Sequence, residues 1–180
     1  PGDPARDAAW QSNLRPYFAE LGAQPSSGPS RAPFDEESCA LVEELRPEIV
    51  SFHFGMPAEP LVARVKATGA RVLSCATTVA EATHLEAAGC DAIIAQGAEA
   101  GGHRGMFLTD DVTVQVGTFA LLPQVVDAVK VPVIAAGGIS DARGIVAAFA
   151  LGASAVQLGT AYLRCPEATI KYRAVLATAA

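Results

Sequence analysis

The chain has 180 residues, 51% of them hydrophobic, which is enough apolar surface for one core at a single-domain size. Thirteen basic and 19 acidic residues give a net charge of −6, and no lysine or arginine run occurs, which argues against binding to nucleic acid or an anionic membrane. There is no apolar stretch long enough to span a bilayer and no secretory signal pattern. We therefore expect a globular cytoplasmic protein that holds any anionic ligand through local groups.

The cysteines are widely spaced and form no C-x-x-C pair, which favours small buried thiols in a reducing compartment over disulfides or a metal site. They are Cys39, Cys75, Cys90 and Cys165. The sequence accordingly predicts no bound metal.

The first 34 residues are rich in Pro, Gly and Ser and contain one short amphipathic helix candidate, around Trp10 to Leu21. We expect this segment, 1–34, to be an arm or connecting segment ahead of a domain at 35–180. Asp35 is the predicted N-cap of a helix that ends at Arg46, before a proline. The following run EIVSFHFG predicts the first strand.

The rest of the domain alternates between helices and strands. Capping-box residues Thr78 and Glu81 begin one of the helices, and Ser140 is the predicted cap of another. The predicted helices are 58–68, 79–88, 119–130, 141–151 and a closing helix from Pro166, and the predicted strands are RVLSCA, DAIIAQ, VPVIAA and SAVQLG.

Nearly continuous apolar strands separated by amphipathic helices predict an α/β fold with a parallel sheet covered by helices. The even spacing of most strands favours a TIM (β/α)8 barrel, of which this chain holds the last five strands, so the barrel is incomplete. A doubly wound open sheet is the alternative. The longer gap around AQGAEAGGHRG indicates a functional insertion.

Two neighbouring strands end in glycines, which predicts a phosphate site. VIAAGGIS ends its strand in Gly137 and Gly138 before a helix, and VQLGT supplies Gly159 and Thr160 at the same end of the next strand. Each glycine alone is equally compatible with a tight turn, but together they favour phosphate. The period of two places Gln157 inward, near this ligand.

The same alternation in SFHFG places Ser51 and His53 on one face and Phe52 and Phe54 on the other. We expect the phenylalanines to face the helix layer and His53 to point into the barrel near its C-terminal mouth. A hydrogen-bonded structural histidine is the alternative for His53. His84, on a predicted exposed helix, is expected to be a surface residue.

The segment AQGAEAGGHRG surrounds a histidine with glycines at the ligand end of the sheet. Gln96 ends the strand, and glycines such as Gly101 and Gly102 allow the backbone to approach a flat ligand. Histidine titrates near neutral pH, so His103 is a candidate base, and Arg104 could favour an anion formed nearby. A purely structural loop histidine remains the alternative.

Four motifs in order, SFHFGMP, AQGAEAGGHRG, AAGGIS and VQLGTAYL, resemble the nitronate monooxygenase family, formerly called 2-nitropropane dioxygenases. The resemblance implies an FMN-dependent TIM barrel that oxidises alkyl nitronates with O₂ to carbonyl compounds and nitrite. It implies that His103 is catalytic and that His53 lines the substrate pocket. The candidate FMN-binding residues are Gln96, Gly101, Gly102, Gly137, Gly138, Gln157, Leu158, Gly159 and Thr160.

Three other functions fit parts of the pattern. An FMN-dependent enoyl-thioester reductase or NADH:quinone reductase would use the same phosphate cradle. A non-catalytic barrel fragment would account for the incomplete strand count. A barrel that binds a sugar or nucleotide phosphate would share the cradle but would give no reason for a glycine-flanked histidine. The sequence leaves the oligomeric state open.

Overall fold

The computed structural model describes residues 4–24 and 33–168. The chain divides into two units, Pro1–Pro33 and Phe34–Ala180. In the first unit a single helix, α1, spans Pro4–Leu21. The role of 1–34 as an arm or connecting segment stays a prediction, and the helix expected from Pro166 lies almost entirely outside the described residues.

The second unit alternates helices and strands as predicted, and most boundaries agree to within two residues. Its helices are α2 (Glu36–Leu45), α3 (Glu59–Ala67), α4 (Val79–Ala87), α5 (Thr118–Ala128) and α6 (Ala142–Ala150). Its strands are β1 (Ile49–Phe52), β2 (Arg71–Ala76), β3 (Ala92–Gln96), β4 (Val133–Ala136) and β5 (Ala155–Gln157), and short 3-10 helices occupy Val112–Val114 and Thr160–Arg164. Among the described residues, no helix combines the length and apolarity that crossing a bilayer requires.

The five strands form one parallel sheet in the order β1-β2-β3-β4-β5. A doubly wound sheet reverses its strand order at a switch point, whereas this order follows the chain throughout. The doubly wound alternative is therefore wrong, and the sheet is built like the wall of a barrel. The predicted α/β class is confirmed.

The two faces of the sheet are packed differently. One face meets the helices in the main core, where Val72 and Ile93 of the strands pack with Leu85 and Leu122 of the helices. The other face carries a small cluster made of strand residues alone, namely Leu73, Cys75, Ile94, Ile134 and Ala136. This second face corresponds to the interior of a barrel, and it leads to the carboxyl ends of the strands.

Helix caps follow the sequence at two positions and differ at a third. Asp35 caps α2 by accepting from the Ser38 N–H at 2.9 Å, and Thr78 caps α4 by accepting from the Glu81 N–H at 3.2 Å. Ser140 was the wrong residue for α6. Asp141 is the cap because its carboxylate accepts from the first free N–H groups of that helix, those of residues 143 and 144.

Glu81 does not complete the expected capping box, because its side chain is fully buried and serves another purpose. One oxygen accepts from Thr77 N and Oγ1, both at 2.7 Å. The other accepts from Phe107 N at 2.7 Å and Leu108 N at 3.2 Å. The carboxylate therefore joins the turn after β2 to the long segment between β3 and α5, which we call the histidine loop (residues 97–117).

We expect Glu81→Gln to lower the free energy of unfolding by about 1–3 kcal/mol, because an amide nitrogen would then face buried N–H donors. Urea denaturation followed by circular dichroism measures the change. Glu44→Gln makes the same substitution at an exposed position of α2 and should stay within about 0.5 kcal/mol of the parent protein. Equal stability of the two variants would contradict the anchoring role of Glu81.

Candidate active site

A cavity of about 310 Å³ lies at the carboxyl ends of the five strands. Every strand contributes to its wall, and the histidine loop covers part of its opening. Barrel enzymes place their active sites at this end of the sheet. The lining residues are Ser51, Phe52, His53, Cys75, Ile94, Gln96, Gly101, His103, Ala136 and Gln157, which include five of the residues selected from the sequence.

The turn after β1 agrees with the sequence at His53 and differs at Phe54. His53 lines the cavity as predicted, and Phe52 is buried with its ring 5.1 Å from that of Phe34. Phe54 was expected in the helix layer, but it is 54% exposed. The strand has already ended at Phe52, and Phe54 has a left-handed backbone with φ of 67°, so the alternation of faces stops there.

Phe54 instead lies beside both histidines. Its ring centroid is 4.4 Å from that of His53 and 5.8 Å from that of His103, with the latter pair perpendicular. Edge-to-face contacts of this kind restrict the orientation of aromatic rings. The sequence gave no reason to select Phe54, because period-two alternation assigned it to the opposite face.

Two glycines of the histidine loop are required by close backbone packing. A Cβ at Gly105 would lie 2.9 Å from both Cys75 Cβ and His53 Cε1, and a Cβ at Gly97 would lie 2.0 Å from Thr118 Oγ1. Neither distance is compatible with a side chain. The loop backbone is therefore pressed against the sheet and the start of α5, which places His103 over the cavity.

Side chains of the sheet bond the loop on both sides of Arg104. The His103 carbonyl accepts from Gln96 Nε2 at 3.0 Å and faces His53 Nε2 at 3.2 Å, and the Gly105 N–H donates to Gln96 Oε1 at 2.6 Å. Arg104 itself donates to the carbonyl of Ala98 and to the side chain of Gln115. The Arg104 guanidinium is thus engaged within the loop, and it is not among the residues that line the cavity.

Of the other titratable groups near the cavity, Cys75 is the most buried. Burial raises the pKa of its thiol to about 11. At neutral pH this group is an uncharged thiol, so it contributes neither a negative charge nor a nucleophile. The exposed imidazoles of His53 and His103 are the groups at the cavity that can exchange protons. His84 lies on the exposed side of α4, as expected, near the ring of Phe107.

The predicted phosphate site is formed where three segments meet. Gly137 and Gly138 have φ of 114° and 66°, which favour glycine. A Cβ at Gly137 would lie 2.9 Å from Ala100 N, and one at Gly101 would lie 2.6 Å from Thr160 Oγ1. The turn after β4, the turn after β5 and the base of the histidine loop are therefore in direct contact.

The backbone of these segments suits an anion. Within the described residues, no hydrogen bond uses the N–H groups of Gly101, Gly102, Gly138, Gly159 or Thr160. A Cβ built at Gly159 meets no atom within 4 Å, so space is open beside it. Unbonded N–H groups around open space are what a phosphate requires. Leu158 packs its side chain against the core, so only its backbone could contribute.

The neighbouring helix N-termini do not contribute free donors, in contrast to the expectation from sequence. The carboxylate of Asp141 occupies the start of α6, and that of Glu99 occupies the start of α5 by accepting from Thr118 N at 2.8 Å and Thr118 Oγ1 at 3.0 Å. Partial burial opposes ionisation of Glu99, but hydrogen bonds from its own backbone and from Thr118 outweigh it and lower its pKa. An anion at this site would therefore be held by the turns.

Comparison with known proteins agrees with this architecture. The family model described as "Nitronate monooxygenase" matches residues 3–178. Nitronate monooxygenase from Pseudomonas aeruginosa is 50% identical over 97% of this chain and 51% of its own length. The enzyme of the same name from Paraburkholderia phytofirmans is 48% identical over 93% of this chain and 47% of its own length. The chain thus spans about half the length of these curated relatives.

Solved structures show the same fold. Nitroalkane oxidase from Streptomyces ansochromogenes superposes with a TM-score of 0.82 at 37% identity, covering 93% of this chain and 49% of that one. FabK from Thermotoga maritima superposes with a TM-score of 0.67 at 34% identity, covering 91% of this chain and 51% of that one. The sheet, its strand order and these likenesses give the chain an α/β fold of the TIM-barrel type. By the extent of the family match and the identity to its members, the chain belongs to the nitronate monooxygenase family.

Proposed function

We propose that this chain forms the FMN-binding and histidine-bearing part of a nitronate monooxygenase, which oxidises alkyl nitronates with O₂ to carbonyl compounds and nitrite. The observation that carries the proposal is the joint position of His53 and His103 at a cavity next to unbonded glycine N–H groups. The names of the Pseudomonas and Paraburkholderia relatives support the same reaction.

The residues present fit FMN at its phosphate end. The N–H groups of Gly101, Gly138, Gly159 and Thr160 would donate to the phosphate, and the positive φ of Gly138 directs the turn toward it. Bound FMN would supply the electron acceptor that nitronate oxidation needs. The chain's own residues would bind the substrate, exclude water and move protons.

His103 is the residue that we assign to proton transfer. Its carbonyl is fixed by hydrogen bonds while its imidazole remains exposed at the cavity, so the ring can meet a substrate carbon. His53 donates from Nε2 to a carbonyl that can only accept, so this nitrogen carries a proton and the ring is held against the cavity wall. We assign His53 to the substrate pocket.

The reaction is tested by the source of electrons. We expect the purified protein to show flavin absorbance that an alkyl nitronate bleaches under anaerobic conditions, because the substrate itself is oxidised. NADH under the same conditions should leave the absorbance unchanged. Rapid bleaching by NADH without a response to nitronate would identify an enoyl-thioester or quinone reductase instead.

The phosphate cradle is tested at Gly159, where a side chain meets no protein atom but would occupy the open space. Gly159→Val should weaken FMN binding by about tenfold or more while leaving the thermal midpoint unchanged, because only the ligand is displaced. Flavin fluorescence on dilution measures the affinity. Ala150→Val adds two carbons at an exposed position at the far end of α6 and should keep wild-type affinity. Undiminished affinity in Gly159→Val would show that the phosphate lies elsewhere.

The role of His103 is tested by comparing two forms of one substrate. A neutral nitroalkane must lose a carbon proton, whereas a nitronate has already lost it. His103→Asn should therefore lower kcat/KM for the nitroalkane by about 10² to 10⁴, and lower that for the nitronate far less. Flavin content is checked in each sample. Equal losses on both forms would indicate a binding role, and no loss would make His103 a structural loop residue.

A further inference from the structure

Gln96 ends β3 beneath the histidine loop, and it is only 7% exposed. Its carboxamide donates from Nε2 to the His103 carbonyl and accepts at Oε1 from the Gly105 N–H. A carbonyl can only accept and an N–H can only donate, so the two partners fix which end of the amide faces which. The side chain thus bonds the backbone on both sides of Arg104 with a defined orientation.

Few other groups share this task. The other side chain that bonds the His103 carbonyl is His53, at 3.2 Å, which itself lines the cavity. Gly105 packs against Cys75 and His53 with no room for a Cβ, so the loop cannot settle closer to the sheet. The height and rotation of the His103 backbone therefore depend on the length and polarity of the Gln96 side chain.

The family resemblance made Gln96 a contact of the flavin, but in this structure both polar ends of its amide bond the protein's own loop. We propose that Gln96 is a positioning residue: it holds His103 over the cavity through the two hydrogen bonds, and does not act as a polar contact of FMN. The proposal rests on the proposed function for its kinetic consequences, whereas the contact itself is testable without turnover.

The test uses two variants of the intact protein. Gln96→Glu has nearly the same shape and keeps the acceptor for Gly105, but it places an oxygen against the His103 carbonyl. Gln96→Met removes both hydrogen bonds and keeps the chain length. Gln124→Glu is the matched control, because Gln124 is an exposed residue of α5 whose amide bonds only its own helix, at Ala120.

Amide hydrogen exchange reports the contact directly. We expect Gly105 exchange to quicken by about tenfold in Gln96→Met, which loses one buried hydrogen bond. Exchange should remain close to wild type in Gln96→Glu and in Gln124→Glu. Unchanged exchange at Gly105 in Gln96→Met would overturn the proposal.

Kinetics and pH distinguish positioning from a general loss of structure. For a neutral nitroalkane, kcat per bound flavin should fall by about 10- to 100-fold in Gln96→Glu at neutral pH, since the base is displaced, while FMN affinity stays within about threefold of wild type. Lowering the pH should partly restore the relative kcat, because the introduced carboxyl group, once protonated, donates to the His103 carbonyl again. A merely structural defect would not recover on acidification.

The opposite results are equally specific. Weaker FMN binding in Gln96→Glu with unchanged kcat per bound flavin would make Gln96 a flavin contact and overturn the proposal. A wild-type protein without nitroalkane or nitronate activity would overturn the proposed function alone. In that case, faster Gly105 exchange in Gln96→Met would still support the contact.

Discussion

The buried backbone of the histidine loop needs hydrogen-bond partners, and this requirement organises the site. The loop crosses the open end of the sheet with little regular secondary structure, so its buried N–H and C=O groups would otherwise be unpaired. Glu81 and Gln96 supply the missing partners from α4 and β3. Glu99 returns from the loop to the start of α5. The loop is thus held at several points along its length, and is not a free flap.

Tight anchoring explains where glycine is required. Gly97 and Gly105 lie where the backbone touches α5 and the sheet, whereas Gly137 and Gly138 adopt left-handed turns at the end of β4. The first pair satisfies packing and the second pair satisfies conformation. Only Gly159 stands beside open space, so it is the glycine whose absence of a side chain is explained by a ligand better than by the protein. A glycine-rich motif therefore combines different physical demands that its letters do not distinguish.

The sequence predicted the fold well because apolar strands, amphipathic helices and capping residues such as Asp35 and Thr78 are local signals. It also predicted that His53, His103 and Gln157 would meet, since parallel strands bring their carboxyl ends to one edge. It could not predict the partners of Glu81 and Glu99, because those contacts join residues 26 and 19 positions apart and carry no local pattern. The error at Phe54 has a similar origin: alternation holds only while the strand continues.

Phe54 shows how the two histidines depend on one set of contacts. Its left-handed backbone is unfavourable for a residue with a side chain, so the neighbouring structure must hold the turn. Ser74 donates to the carbonyl of Gly55 at 3.0 Å, and the ring of Phe107 packs on Gly55 so closely that a Cβ there would lie 3.1 Å away.

Phe107 is in turn fixed through its backbone N–H by Glu81, on the opposite side of the loop. The path from Glu81 through Phe107 and the Phe54 turn ends at His53, and the path from Gln96 ends at His103. Both meet at the His103 carbonyl, where Nε2 of His53 and of Gln96 lie within 3.2 Å. The relative position of the two imidazoles is therefore set by buried polar groups on α4 and β3, outside the loop that carries the histidine motif.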